Sequence, residues 1–338
     1  MLGRREEEKE LPPSAKGKFL PALYKRSRLL YYIKEKPPDR LVGQWGQRPL
    51  KTAAARSAGN EGDDPMKISC LPVSLFDEIC GGKMSVEQWA REAKAIGFDG
   101  FDISSMFIRN HTPSYLRPLG EAIAETGMPI AMMTTYPDFT HPDPVQRRRE
   151  YDYLVRDIAV ASQLGVEHVR VLAGQAHPEM GIEEGVALAV DGLRRAAEAA
   201  DAYGVRLVYE DHAKPGAWDY IDFSYPPELF LRVAEGIRDT SVGINYDTGN
   251  ITAAGGDTLA VLEQVIDRVV TVHVSDMAEK GTFQPVAIGT GVVPNREIFA
   301  RLKQHGFDGW LCIEECSGQG LAGIAQAYRF VRDTWDAV

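Results

Sequence analysis

The stretch VGINYDTGNITAAGGDTLAVLEQVIDRVVTVHVSD, residues 242–276, decides the fold. It opens on a short apolar run, 242–247, that ends in Asp247. A longer segment with helical spacing follows, and a Val-rich run at 268–274 carries His273 near its end. Parallel strands buried on both faces read as near-continuous apolar runs, and joining two of them takes a crossover helix. The stretch is therefore one strand–helix–strand unit.

The same alternation continues in both directions. Strand-like runs occur at 67–73 (KISCLPV), 98–104 (FDGFDIS), 128–134 (MPIAMMT), 167–173 (EHVRVLA), 205–210 (VRLVYE), 242–247, 268–274 and 309–315 (GWLCIEE). Between them lie amphipathic segments. VEQWAREAKAIGF (86–98) sets Trp89, Ala93 and Ile96 at helical spacing, and GVALAVDGLRRAAEAADAYGV (185–205) runs over several turns to a stop at Gly204. Eight such units joined by right-handed crossovers favour a closed barrel over an open sheet. No GxGxxG follows the first run, which argues against a dinucleotide-binding fold. The expected class is α/β, a (β/α)₈ TIM barrel over residues 66–338.

Residues 1–65 read differently. They carry 14 Lys+Arg against 9 Asp+Glu, about +5, whereas the whole chain is −10, so the remainder is near −15. Without sustained periodicity, this segment is expected to be a disordered N-terminal extension. FLPALYKRSRLLYYI (19–33) within it has the pattern of a short basic amphipathic helix. The acidic balance of the chain disfavours nucleic acid and anionic membrane surfaces as partners. No apolar run is long enough to span a membrane, and no secretory signal opens the chain. Four cysteines without a CxxC pair suggest a reducing compartment, so the expected location is cytoplasmic.

Barrel enzymes build their sites at the C-terminal ends of strands. The last four strand-like runs end in Glu210-Asp211-His212, Asp247, His273-Val274-Ser275-Asp276 and Glu314-Glu315. Carboxylates are depleted in strands, yet four consecutive runs close on an acid or a histidine. Three carboxylates and an imidazole crowded on one axis require a cation. Oxygen-rich ligation with one nitrogen suits a single divalent ion: Mn²⁺, Mg²⁺ or Co²⁺, with Zn²⁺ tolerated.

The pieces YEDH (209–212), DTGN (247–250), HVSD (273–276), IGTG (288–291) and GWLCIEE (309–315), in this order, resemble the sugar phosphate isomerase/epimerase superfamily, the xylose isomerase-like TIM barrels. The resemblance implies that Glu210, Asp247, His273 and Glu314 bind the metal and that Glu210 and Glu314 form the acid/base pair. Glu315 competes with Glu314, since alternation lets only one of the two face inward. The implied reaction is isomerisation or epimerisation of a sugar or polyol hydroxy-ketone through an enediolate. One departure bears on it: ketose 3-epimerases of this group carry a histidine three positions after the strand-six Asp, and here that position is Asn250.

Further substrate-binding candidates are His212, Asn250, Arg170 and, in the loop KPGAWDY (214–220), Lys214 and Trp218. His177, in the loop after the fourth strand, is a weaker one. Asp276 is expected to orient a ligand, as outer-shell carboxylates do. Three alternatives stand beside the isomerase reading: a metal-dependent lyase or dehydratase on a keto-sugar or keto-polyol, a metal-free sugar-binding barrel, and a zinc endonuclease of the abasic-site class. Seven histidines in all and the negative charge weigh against the last. The expected partner is a small sugar or polyol, and barrels of this group often form homo-oligomers.

Overall fold

The computed structural model describes residues 65–213 and 215–338. The expectations for the N-terminal segment and for Lys214 lie outside the described residues. The chain divides into one unit spanning Met1–Gly59 and another spanning Asn60–Val338, and everything below belongs to the second.

Eight parallel strands form one sheet in the order β1-β8-β7-β6-β5-β4-β3-β2. They are β1 (Lys67–Leu71), β2 (Phe101–Ser104), β3 (Ile130–Thr134), β4 (His168–Val171), β5 (Arg206–Glu210), β6 (Gly243–Asp247), β7 (Val269–Val274) and β8 (Trp310–Glu314). The eight principal helices are α1 (Val86–Ile96), α2 (Pro113–Thr126), α3 (Pro144–Leu164), α4 (Ile182–Tyr203), α5 (Pro227–Gly236), α6 (Thr258–Val265), α7 (Asn295–Gln304) and α8 (Gly320–Asp336). All eight anticipated strands are present. The anticipated second strand began at Phe98, but Phe98–Gly100 is the turn into β2.

The seam between β1 and β2 is closed by individual bonds. Asp99 N–H donates to Ile68 O (2.9 Å), Ile68 N–H to the Asp99 carboxylate (2.9 Å) and Ser69 Oγ to Asp102 Oδ2 (3.0 Å). Trp89 on α1 is fully buried and donates its indole N–H to Asp102 O (3.2 Å), which holds the helix against the same seam.

Local sequence sets the helix ends. Ser85 caps α1 by accepting Gln88 N–H, Asp143 caps α3 with Pro144 next to it, and Asp257 caps α6. Gly204 ends α4 at φ 68°, a left-handed conformation that a side chain disfavours. Between strands and helices lies a continuous apolar layer that includes Val169, Val171, Leu207, Tyr209, Ile244, Tyr246, Val272 and Ile313.

The inward-facing positions are of two kinds. One is apolar: Met132, Val208, Trp310 and Cys312 pack together, and Trp310 donates its N–H to Glu167 (2.8 Å). The other is polar, with Asn245, Thr271, Arg170, Glu210 and His273 all buried. Alternation along the pleat places these polar side chains on the axis while their neighbours face the helices. No helix among the described residues is long and apolar enough to cross a membrane.

Candidate metal centre

Glu210 ends β5, Asp247 ends β6, His273 is the penultimate residue of β7 and Glu314 ends β8. Each offers one ligating atom, and the four atoms lie within 4.8 Å of one another. The register makes this meeting unavoidable: Asp247 is paired with His273, and Glu210 with Asn245 two residues before Asp247. Glu315, the rival of Glu314, points elsewhere. Its carboxylate takes Ser74 Oγ and Ser317 N–H (2.9 Å) at the β1 side of the barrel.

The hydrogen bonds leave specific oxygens open. Asp247 Oδ1 accepts from Gly249 N–H (2.8 Å), Asn250 N–H (2.9 Å) and Ser275 Oγ (2.8 Å), while Oδ2 is buried without a partner. Glu210 Oε1 accepts from Asn245 Nδ2 (2.8 Å), and Thr271 Oγ in turn donates to Asn245 Oδ1 (2.7 Å). His273 Nδ1 contacts Glu210 Oε1 and lies 3.4 Å from Glu314 Oε2.

The electrostatics show a cluster short of positive charge. Burial, then the charges of Glu314 and Glu210, push Asp247 well above the usual carboxylate range. Burial opposes ionisation of Glu210 too, but the charges of His273 and Arg170 outweigh it and hold Glu210 down. In Glu314 the bond from His273 overcomes burial and brings the carboxyl to about 2. His273 itself is pushed down by burial but lifted further by Glu210, so its net direction is well up. A cation entering the cluster would relieve the repulsion that raises Asp247. The unpartnered Asp247 oxygen and three-carboxylate, one-imidazole donor set fit a divalent ion, whose shell at bonds of about 2.1 Å spans roughly 4 Å.

Arg170 on β4 is 1% exposed, with its Nε 3.0 Å from Glu210 Oε2 and off the line of a hydrogen bond, so the contact is an ion pair. Nη1 donates to Thr135 O (3.1 Å), and the guanidinium lies over the Tyr136 ring at 4.9 Å. His212 is buried, within reach of the charges of Glu210 and Glu314. Its Nδ1 has no partner, and burial pushes the imidazole down to about 4. Asn250 donates its amide to Asp211 O (2.9 Å). Trp218 is 5% exposed and packs with Tyr136, Leu172 and Met106.

Asp276 does something other than orient His273. Its two oxygens accept the backbone N–H groups of Met277 (3.0 Å), Gly289 (2.9 Å), Gly291 (2.9 Å) and Val293 (3.1 Å). This accounts for the IGTG piece: a Cβ at Gly291 would stand 2.2 Å from Met277 O and 2.3 Å from Asp276 Oδ1.

Asn245, Thr271, Ser275 and Tyr136 were not anticipated. The first three lie two positions from Asp247 or His273 on the same strand face or its continuation, so period-two counting from each ligand would have found them. Tyr136 follows β3 and carries no such mark.

Comparison with known proteins identifies the family of the barrel. The family model described as xylose isomerase-like TIM barrel matches residues 90–334. An inosose dehydratase from Geobacillus thermodenitrificans (strain NG80-2) is 25% identical over 308 residues, covering 80% of this chain and 98% of that protein. An L-ribulose-5-phosphate 3-epimerase from Salmonella paratyphi C (strain RKS4594) is 24% identical over 282 residues, covering 78% of this chain and 94% of that protein. Among solved structures, the IOLI protein with a zinc atom bound superposes with a TM-score of 0.66 at 18% identity, covering 80% of this chain and 99% of that one. A D-tagatose 3-epimerase-like protein gives 0.67 at 19% identity, covering 81% and 98%. With the family model matching well over half of its length, this chain belongs to the xylose isomerase-like TIM barrel family.

Proposed function

We propose that this protein is a divalent-metal-dependent enzyme that moves a proton α to the carbonyl of a small sugar or polyol hydroxy-ketone, as an isomerase or epimerase. The observation that carries the reading is the convergence of Glu210, Asp247, His273 and Glu314 within 4.8 Å at the strand ends. The bound ion supplies Lewis-acid stabilisation of negative charge on adjacent substrate oxygens. The chain supplies the rest. Glu210 and Glu314 stand on β5 and β8, on different sides of the site. One carboxylate takes the α-proton, and the other returns a proton to the opposite face or to the neighbouring carbon. Asn245 and Arg170 fix the orientation of Glu210.

A second reading, dehydration of a keto-polyol, is favoured by two observations. At the position where ketose 3-epimerases of the group carry histidine stands Asn250, and its amide is engaged by Asp211 O. His212 Nδ1, by contrast, is buried without a partner two residues after Glu210, which supports a role as hydrogen-bond partner of a departing β-hydroxyl. The relative named inosose dehydratase supports this second outcome and the relative named ribulose-phosphate epimerase the first.

The test begins with elemental analysis of the full-length protein beside a Glu210→Gln, Asp247→Asn double variant. About one divalent ion per wild-type chain, lost in the variant, is expected. The protein is then incubated in deuterium oxide with an inosose, D-tagatose and L-ribulose 5-phosphate. Deuterium at the α-carbon of recovered ketone marks proton transfer, and a product lighter by one water marks dehydration. Glu314→Gln should slow either signal by about 10²–10⁴. A wild type that takes up no metal after reconstitution would remove the basis of both readings.

A further inference from the structure

The loop between β5 and α5 contains a paradox: Asp219 and Tyr220 at its tip are exposed, yet Trp218 beside them is 5% exposed. The base of the loop is held by backbone bonds to the segment after β4. Phe223 N–H donates to Gly174 O (2.8 Å), Ala176 N–H to Ile221 O (2.8 Å), and Gln175 pairs with Asp222 as an isolated antiparallel bridge. At the tip the Tyr220 ring meets His177 edge-on (5.3 Å), and one side chain gathers the backbone. Gln175 Oε1 accepts the backbone N–H groups of both Asp219 (2.9 Å) and Tyr220 (3.1 Å).

The other end of that amide is fixed as well. Gln175 Nε2 donates to Asp138 Oδ2 (2.8 Å), and Gln175 N–H to Asp138 Oδ1 (2.9 Å). Asp138, 3% exposed in the loop after β3, also contacts His177 Nε2 at 2.8 Å. One glutamine side chain thus ties together the loops after β3, β4 and β5.

What it holds in place leads to the metal-ligand cluster. Trp218 packs with Tyr136, Leu172 and Met106. The Tyr136 hydroxyl is hydrogen-bonded with Ser104 Oγ (3.1 Å) and Thr134 Oγ1 (3.0 Å), and its ring lies under Arg170, the ion-pair partner of Glu210. Trp218, Tyr136, Arg170 and Glu210 form a continuous line of contacts from loop tip to cluster.

We propose that Gln175 is a positioning residue for the substrate pocket: its amide latches the β5–α5 loop to Asp138, and so builds the Trp218–Tyr136 wall beside the cluster before substrate arrives. A preformed aromatic wall next to an oxygen-binding centre suits a compact ring or polyol that presents C–H groups on one side and vicinal oxygens on the other. Pre-organisation of this kind acts on binding rather than on the chemical step. The proposal rests on the enzymatic reading for its effect on substrate, but the latch itself has an independent readout.

The experiment compares full-length wild type with Gln175→Ala, Gln175→Glu and the pair Gln175→Glu, Asp138→Asn. Gln175→Ala removes both ends of the latch. Gln175→Glu keeps an acceptor for the tip but sets a carboxylate against Asp138. The double variant restores a donor–acceptor pair with reversed polarity. Hydrogen exchange of residues 216–222 is expected to quicken at least tenfold in both single variants and to return towards wild type in the pair. With an inosose as probe, KM should rise about tenfold in the single variants while kcat stays within about threefold and metal content is unchanged. The double variant should recover KM. Unaltered exchange of 216–222 in Gln175→Ala would overturn the latch. Faster exchange with an unaltered KM would overturn its role in the pocket. Lack of turnover by the wild type would count against the enzymatic reading, and hydrogen exchange would still decide the latch.

Discussion

The two oxygens of Asp247 have separate work. Oδ1 organises the turn after β6 by accepting three hydrogen bonds, and Oδ2 faces the cluster without a partner. Two substitutions separate these roles. Asp247→Asn retains an acceptor for the turn and removes a charge that burial, Glu314 and Glu210 all disfavour. Asp247→Ala leaves three buried donors without an acceptor, each costing about 1–3 kcal/mol. After chelation, Asp247→Asn should therefore melt at or above the wild type, and Asp247→Ala clearly below it. In both variants metal affinity should fall by roughly 100-fold or more, beyond what loss of an outer-shell partner alone produces. Calorimetry with and without chelator measures both effects. A chelated Asn variant that melts well below the wild type would show that the anion is needed for the fold.

At the scale of elements, the strand ends carry ligands and the loops carry the architecture around them. Asp276 gathers four backbone N–H groups from the segment after β7, and no other described carboxylate accepts as many from one loop. Asp276→Ala should cost about 2–4 kcal/mol, since buried amides lose their acceptor, and should loosen 287–293 without removing metal. Chemical unfolding and hydrogen exchange check this, and unchanged exchange over 287–293 would refute it. The elements also show what a linear reading can reach. Strand-end acids such as Glu210 and Glu314 were legible because their type is unusual in strands and their spacing repeats. Gly204 was legible because a helix stop is a local signal. The β2 start was misplaced because Phe98 was counted into the apolar run of Phe101 and Ile103, and only the Asp99–Ile68 bonds reveal 98–100 as a turn. The contacts of Asp276 were not legible either. Choosing between an adjacent histidine and four distant amides depends on a loop path that no local pattern encodes. Tyr136 and Gln175 stayed hidden for the same reason, because their partners come from other loops.

For the whole molecule, the barrel interior sets a conflict between burial and charge that extends below the cluster. Asp102 on β2 is fully buried, with Oδ2 accepting from Ser69 and Oδ1 without a partner. Burial pushes its carboxyl up to about 7, against the opposing pull of the His273 charge and the Ser69 hydrogen bond. In the unfolded chain the same group titrates near 3.9. A folded pKa above the unfolded one means that the native state binds the proton more tightly. The associated stability is fully present below about pH 4 and is lost as pH rises towards 7. Asp102→Asn keeps the shape and stays neutral, so it should remove this dependence. Between pH 5 and 8 the wild type should lose roughly 2–3 kcal/mol relative to the variant. Urea unfolding of both proteins at several pH values, with chelator present throughout, isolates the effect, because the titrations of the cluster are common to both and largely cancel. Parallel stability curves would mean that Asp102 ionises freely in the native barrel. Curves that separate from about pH 4 and run parallel again above pH 7 would establish that the barrel keeps a neutral acid near a charged site, which reserves its tolerance for buried charge for the positions where the cation sits.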